Sequence, residues 1–255
     1  MIKFFRTLRK KLLSENRFSK YLIYAVGEIV LVVIGILIAL QINIWNDEAK
    51  QKKTEQEYYC RILEDLELDK KRIQTLSQDA NERIQISKEL LLELDSGNKD
   101  KNYLLNKFLL AYRSAAYVPV DVTFKDLVSS GNVKLLTETE IKNSLIKFYS
   151  ELEDKVVHLN QNRDEKTKES FKLVNSSIGF GIAEFEYISK LLGPEVIATL
   201  PNEEWHKDKT NPHYQNFQMM MTFNIAMSDR KKQVLDEVLQ LMEEPVRLLQ
   251  EQCRK

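Results

Sequence analysis

The side chains best suited to metal chemistry in this sequence are its three histidines, His158, His206 and His213. A zinc site needs three or four nitrogen, sulfur or carboxylate ligands, and no second strong ligand follows His158 at the next helical turn. His206 and His213 lie in a proline-rich stretch, where a loose surface metal site would need further ligands. This pattern is too weak to predict a metal, and we expect solvated loop histidines.

Groups that catalyse reactions at phosphates or acyl carbons also lack the spacing they need. Gly179 and Gly181 are not accompanied by the rest of a phosphate-binding loop. Ser129 and Ser130 precede a glycine, but they do not form a nucleophile elbow. We therefore expect no enzyme and no bound cofactor.

The two cysteines, Cys60 and Cys253, are candidates for a disulfide bond. Cys60 lies near the start of one long helical pattern and Cys253 near the end of another. The helix from Cys60 to Asp95 would measure about 54 Å and the helix from Phe217 to Cys253 about 55 Å. In an antiparallel bundle the two thiols would lie level, so an oxidising compartment would permit the bond. Two unpaired thiols are the alternative.

Glu28 is the one formal charge in an otherwise uncharged stretch, residues 21–44. An unpaired carboxylate at this depth of a membrane would cost a few kcal/mol. On a helix, Glu28, Gly35 and Ala39 lie within about 40° of one another. Small residues at this spacing allow another helix to approach closely, which predicts a packing face for a membrane protein or a second copy. Alternatively, Glu28 draws in water or lipid headgroups, or pairs with Lys20.

The stretch around Glu28 predicts a transmembrane helix over residues 21–45. Its 24 residues up to Ile44 form about 36 Å of helix, enough to cross a hydrocarbon core of about 30 Å. Residues 29–40 are apolar on every face, unlike a core helix of a soluble protein. No small-residue cleavage site follows the run, so we interpret it as an uncleaved signal anchor.

Charge asymmetry predicts the direction of this anchor. The chain has 255 residues with 38 basic and 38 acidic groups. Residues 1–20 hold seven basic groups and one acid, a net charge of +6, whereas the rest of the chain is acidic. The positive-inside rule therefore predicts a cytoplasmic leader at 1–20 and an exported domain at 46–255. We expect the lipid bilayer and a membrane protein as partners, and no nucleic acid.

The first part of the chain also resembles a known family. Residues 1–6, 13–16 and above all 20–47 (KYLIYAVGEIVLVVIGILIALQINIWND) are similar to the start of a bacterial family of single-pass membrane proteins of unknown function. The match is strongest over residues 1–50 and thins beyond, with a piece at 127–135. The resemblance implies a bacterial source, an inner-membrane anchor and a helical exported part. It implies no activity, cofactor or catalytic residue.

Helical periodicity dominates the region after the membrane segment. Of eleven heptad positions between Tyr59 and Leu94 eight are apolar, and the exceptions are Asp69, Arg83 and Ser87. The transmembrane helix is expected to continue into this one as a stalk that ends near residue 95. Further helices are predicted at about 103–117, 124–130, 137–175, 182–192 and 217–253, with a loop at 194–213 and a kink at Pro245. We therefore expect an all-α, up-down helical bundle in one domain.

Two functions fit this architecture. The first is an interaction or scaffold subunit of a cell-envelope complex, anchored in the inner membrane with its bundle in the periplasm. The second is a periplasmic ligand-sensing input module, an idea that rests on fold analogy alone. A leader of 20 residues is too short to form an output domain, so the second function requires a signalling partner.

Overall fold

The computed structural model describes residues 18–175, 185–200 and 203–254, and every regular element in those ranges is a helix. The all-α prediction is therefore confirmed for these residues. The predicted leader at 1–20 lies outside them except for its last three residues, and so do Gly179 and Gly181. The chain divides into two compact units, Met1–Glu57 and Tyr58–Lys255, which are described separately.

The described residues contain six α-helices. They are α1 (Phe18–Ser96), α2 (Lys101–Tyr112), α3 (Val122–Ser129), α4 (Thr139–Asn175), α5 (Glu186–Ile197) and α6 (Pro212–Cys253). Short 3-10 helices cover Asn132–Leu135 and Trp205–Lys207. The predicted continuation of the apolar segment into a longer helix is confirmed, because α1 is one helix of 79 residues.

The described part of the first unit is residues 18–57 of α1, which include the apolar stretch of this helix. An 18-residue window of this helix has a mean hydropathy of 2.6 and none of it is buried. The four consecutive residues Val30, Leu31, Val32 and Val33 follow one another by about 100° around the helix and are 47–70% exposed, so the apolar surface surrounds the helix and does not form a single stripe. Among the described residues, α1 is the one helix that is long and apolar enough to cross a membrane.

In the second unit, α1 and α6 run antiparallel. Hydrogen bonds or ion pairs join Glu67 to Gln250, Ser87 to Asn224 and Asp95 to Lys209. Residue numbers rise along α1 while those of its partners fall along α6 and the segment just before it. The part of α1 in this unit is nearly as long as α6, so the start of the unit lies next to the end of α6.

The segment formed by α2 and α3, and the helix α4, also run antiparallel to a neighbour. Contacts from Lys107 to Glu89, from Tyr117 to Asp69 and from Tyr58 to Asp126 place α2 and α3 antiparallel to α1. Contacts from Lys155 to Glu237 and from Lys166 to Asn224 place α4 antiparallel to α6. Successive segments thus reverse direction, and each buries one apolar stripe against its neighbours.

The predicted helix at 103–117 is too long, because α2 ends at Tyr112 and residues 113–121 are not helical. Pro119 disfavours helix at the residue before it. Side chains of the long helices donate hydrogen bonds to backbone carbonyls that would bond to amides if the helix continued. Lys231 donates to the Ala115 carbonyl at 2.9 Å, and Arg72 donates to that of Val118.

Two further boundaries differ from the sequence predictions. Gly193 has φ 77° and interrupts α5, but helical turns resume at Pro194 and continue to Ile197. The helix α6 begins at Pro212, earlier than predicted, because the Asn211 side chain accepts a hydrogen bond from the His213 amide. Pro245 is buried within α6, which runs past it as one helix to Cys253, the end that the sequence predicted.

The core of the second unit has two apolar clusters, one at each end. The first contains Ile62 and Leu66 of α1 with residues of α4 and the second half of α6. The second contains Leu90 and Leu94 of α1 with residues of α2 and the first half of α6. Buried polar side chains lie between the clusters, and they are Ser87, Lys166, Asn224 and Ser228. We refer to these four residues as the polar layer.

Candidate functional site

The second unit has an apolar groove between α3 and α4, with a volume of about 850 Å³. Apolar side chains line most of it, among them Val128, Val133, Ile146, Val156 and Val157. Val128 and Ile146 remain about half exposed, at 51% and 46%. A groove of this volume is within the range of small-molecule sites in proteins.

Two stacked aromatic rings belong to the same groove. The rings of Phe124 and Tyr149 lie 4.0 Å apart and nearly parallel. The Tyr149 hydroxyl is buried and has no hydrogen-bond partner among the described residues. Burial raises the pKa of Tyr149, and nearby Asp65 and Asp121 add to the effect, so the hydroxyl stays protonated. The hydroxyl is not accessible from the groove, which therefore offers an apolar and aromatic surface.

A buried carboxylate stabilises the extended segment next to the groove. Asp69 is 1% exposed and accepts hydrogen bonds from the Tyr117 hydroxyl at 2.6 Å and the Val120 amide at 3.2 Å. Burial raises the pKa of Asp69, although both hydrogen bonds oppose the increase. This network positions residues 117–120 and therefore the adjoining wall of the groove at Pro119.

The polar layer is connected by hydrogen bonds across three helices. The Lys166 ammonium donates to Asn224 at 2.8 Å and to the Tyr112 carbonyl at 2.7 Å. Asn224 donates in turn to Ser87 at 2.8 Å and to the Ala111 carbonyl at 3.0 Å. Burial lowers the pKa of Lys166 to about 7, so this amine exchanges a proton near neutral pH.

The expectation of solvated loop histidines is wrong for His206. It is 3% exposed, because the short helix Trp205–Lys207 packs its tryptophan against Phe217 in the core. Burial lowers the pKa of His206. His158 is exposed on α4. Within the described residues, no three His, Cys, Asp or Glu side chains are placed to hold a metal ion.

The structure brings the two cysteines together. Cys60 of α1 and Cys253 of α6 are joined by a disulfide bond, with Cα atoms 5.6 Å apart. This distance is within the usual range for a disulfide. The antiparallel register of α1 and α6 explains the proximity, since it aligns residues 193 positions apart in the sequence.

The residues of the predicted membrane packing face lie on the apolar part of α1. Glu28 is half-buried, and Ala39 is exposed. A side chain added at Gly35 would meet no atom within 4 Å. The face is therefore open at Gly35 within the single chain, and its role in packing stays a prediction.

Sequence reasoning missed the polar layer as a site, although the heptad pattern contained its signal. The three polar exceptions among the eleven heptad positions are Asp69, Arg83 and Ser87. Asp69 and Ser87 are fully buried, and the Arg83 side chain is 12% exposed. A polar residue at a core heptad position thus marks each buried polar network. The partners from other helices could not be identified from one sequence.

Comparison with known proteins gives one match. A model described as a family of unknown function (DUF6090) matches residues 28–188. This range extends far beyond residue 50, so the family likeness is not confined to the start of the chain. No curated protein and no solved structure matches. Since the family model covers more than half of the sequence, the chain belongs to this family of unknown function, DUF6090.

Proposed function

We propose that this protein is an inner-membrane-anchored interaction or scaffold subunit of a bacterial cell-envelope complex. The observation that carries the proposal is the form of α1, whose apolar part is exposed on all faces and whose polar part belongs to a helical bundle. A helix that is apolar on every face is stable in lipid.

The proposed orientation has a cytoplasmic N-terminus and a periplasmic bundle, and it rests on the +6 charge of residues 1–20. Alkaline phosphatase fused after Lys255 should then be active, because this enzyme folds only in an oxidising compartment. A cytoplasmic reporter fused at the same position should be inactive. The reverse pattern at normal expression would contradict the orientation.

The membrane partner is proposed to pack on the face formed by Glu28, Gly35 and Ala39. Open space at Gly35 would allow the backbone of a second helix to approach closely. Gly35→Ile should weaken crosslinking to a partner or second copy in native membranes. Ile36→Leu, on another face, is the matched control and should behave like the parent. Equal crosslinking of both variants and the parent would contradict the packing face.

The apolar groove favours a second candidate function, a periplasmic input module that senses a small apolar ligand. Its volume of about 850 Å³ and its mainly apolar lining suit a small apolar molecule. A panel of such molecules should raise the melting temperature of the detergent-solubilised full chain. Val128→Glu should abolish the increase, whereas Leu68→Glu, at a similarly exposed apolar site on α1 that does not line the groove, should keep it. If no member of the panel raises the melting temperature, the ligand-sensing function is contradicted and the scaffold function is unaffected.

A further inference from the structure

A second, smaller cleft opens beside the polar layer, and its lining is strongly basic. Four cationic side chains line it, Arg83 of α1, Arg163 and Lys166 of α4 and Lys231 of α6. No carboxylate lines it, and its remaining polar residues are Ser114, Asn162 and Ser228. Three long helices and the extended segment after α2 therefore direct positive charge to one place inside the bundle.

Two carboxylates pair with cations of the cleft, and neither of them lines it. Asp79 accepts a hydrogen bond from Arg83 at 2.5 Å, but only from its Nη2 atom. Asp164 pairs with Arg163 at 2.7 Å and is 56% exposed, so solvent screens most of its effect. Lys231 donates to the Ser114 hydroxyl and to the Ala115 carbonyl, two neutral acceptors that do not neutralise its charge.

Arg83 also retains unused donors. Its Nε and Nη1 atoms are both buried and have no hydrogen-bond partner among the described residues. A guanidinium presents its donors in a planar fork that matches the oxygen atoms of phosphate or a carboxylate. Leaving two such donors unpaired beside other cations is costly, so a bound group with acceptor oxygens would remove the cost.

The like charges influence one another. Burial lowers the pKa of Lys231 to about 8, and repulsion from Arg83 contributes. Repulsion from Arg83 and Lys231 likewise contributes to the lowered pKa of Lys166. An anion in the cleft would attract both ammonium groups and so counteract the lowering of their pKa values.

We propose that this cleft binds one small inorganic oxyanion, of the size and charge of phosphate or sulfate, through Arg83, Arg163, Lys166 and Lys231. The cleft has a volume of about 30 Å³, which is room for about two water molecules and therefore for one small oxyanion. This space is too small for a headgroup ester, so the occupant is a free ion. The ion acts as a structural counter-charge that connects α1, α4 and α6.

The test uses the full chain in a non-ionic detergent, in buffer free of phosphate and sulfate. Melting temperature is followed as sodium phosphate or sodium sulfate is added, against sodium chloride at equal ionic strength. The proposal predicts a saturable increase with the oxyanions, as expected for a ligand that binds only the folded state. An increase that is equal in chloride, or that does not saturate, would overturn it.

Variants separate the site from general charge effects. Arg83→Met should raise the apparent dissociation constant by about ten-fold or more, since it removes charge-assisted hydrogen bonds. The matched control, Arg247→Met, alters an exposed arginine of α6 that pairs with Glu251 outside the cleft, and it should respond like the parent.

Ser228→Asp keeps the proposal testable if Arg83→Met does not fold. It places a carboxylate in the cleft, so it should raise the melting temperature in oxyanion-free buffer and remove the response to phosphate. A Ser228→Asp protein that responds to phosphate as the parent does would overturn the proposal.

Discussion

At the scale of single residues, buried polar groups in this bundle are held by specific partners. Asp69 is the clearest case, because it accepts from a side chain and from a backbone amide. Removing such an acceptor leaves buried donors unpaired, at about 1–3 kcal/mol for each group. The effect of a substitution therefore depends on whether the new side chain can still form hydrogen bonds.

Asp69→Leu should lower the free energy of unfolding by about 3 kcal/mol, because it leaves the Tyr117 hydroxyl and the Val120 amide unpaired. Asp69→Asn should cost less, since its amide can still bond to both groups without carrying a charge. Chemical denaturation of the three proteins measures the difference. Equal losses for the two variants would show that the hydrogen bonds contribute little.

Lys166 makes the stability of the protein depend on pH. Burial lowers its pKa from 10.5 to about 7 in the folded state. Between these values the folded chain holds fewer protons at Lys166 than the unfolded chain. In oxyanion-free buffer, the free energy of unfolding should therefore rise as the pH increases from about 7 towards 10.5.

The matched variants for this prediction are Lys166→Met and Lys190→Met. Lys166→Met removes the titrating group and should reduce the slope of stability against pH. Part of the slope should remain, because the pKa of Lys231 is also lowered, to about 8. Lys190 is 72% exposed on α5, so its replacement should leave the slope unchanged. Denaturation curves at a series of pH values measure the slopes, and identical slopes in all three proteins would refute the assignment to Lys166.

At the scale of the elements, one glycine sets the boundary between α3 and the 3-10 helix after it. Gly131 has φ 71°, in the left-handed region that side chains with a Cβ atom disfavour. An added Cβ would meet no atom within 4 Å, so the cost of substitution lies in the backbone alone.

Gly131→Ala should therefore lower the free energy of unfolding by about 1 kcal/mol. Gly131→Asn should cost less, because asparagine adopts the left-handed conformation more readily than alanine. Thermal or chemical unfolding of the two variants gives the comparison. An alanine variant as stable as the parent would mean that the turn relaxes to another conformation.

Helix type and order were predictable from sequence, whereas several helix ends were not. The heptad pattern of α1 located its buried face, as fully buried Ile62 and Leu66 show. The end of α2 at Tyr112 depends on Arg72 and Lys231, which bind the following carbonyls. Such contacts come from distant parts of the sequence, and local patterns do not contain them.

The candidate sites were harder to predict than the fold. The groove combines α3 with both buried and half-exposed residues of α4, such as Leu152 and Ile146, so it does not follow one face of either helix. The basic cleft needs Arg83, Arg163 and Lys231 from three helices. Each residue taken alone resembles an ordinary surface cation, so only the register between helices identifies the site.

At the scale of the whole molecule, the disulfide closes nearly all of the second unit into one covalent loop. Cys60 and Cys253 are separated by 193 residues, and closing a loop of this length stabilises a protein by about 5 kcal/mol in the chain-entropy model. The native bond should therefore make unfolding strongly dependent on reductant.

Protein isolated from membranes and alkylated before reduction should show no labelling of either thiol. Its melting temperature should fall after reduction, whereas Cys60→Ser should melt at the lower temperature with or without reductant. Mass spectrometry of the labelled peptides measures the first result and thermal unfolding the second. Full labelling of both cysteines before reduction would rule out the bond in the native protein.

The position of the disulfide also determines how α1 and α6 can move apart. From Cys60 to Ser96 the helix α1 measures about 54 Å, and the bond lies at one end of this length. The two helices can then separate only by rotating about the disulfide bond at that end. A rotation of one degree at the pivot displaces the far end, where Asp95 meets Lys209, by about 1 Å. Any opening of the bundle is thus largest at the end that carries the turn between α1 and α2.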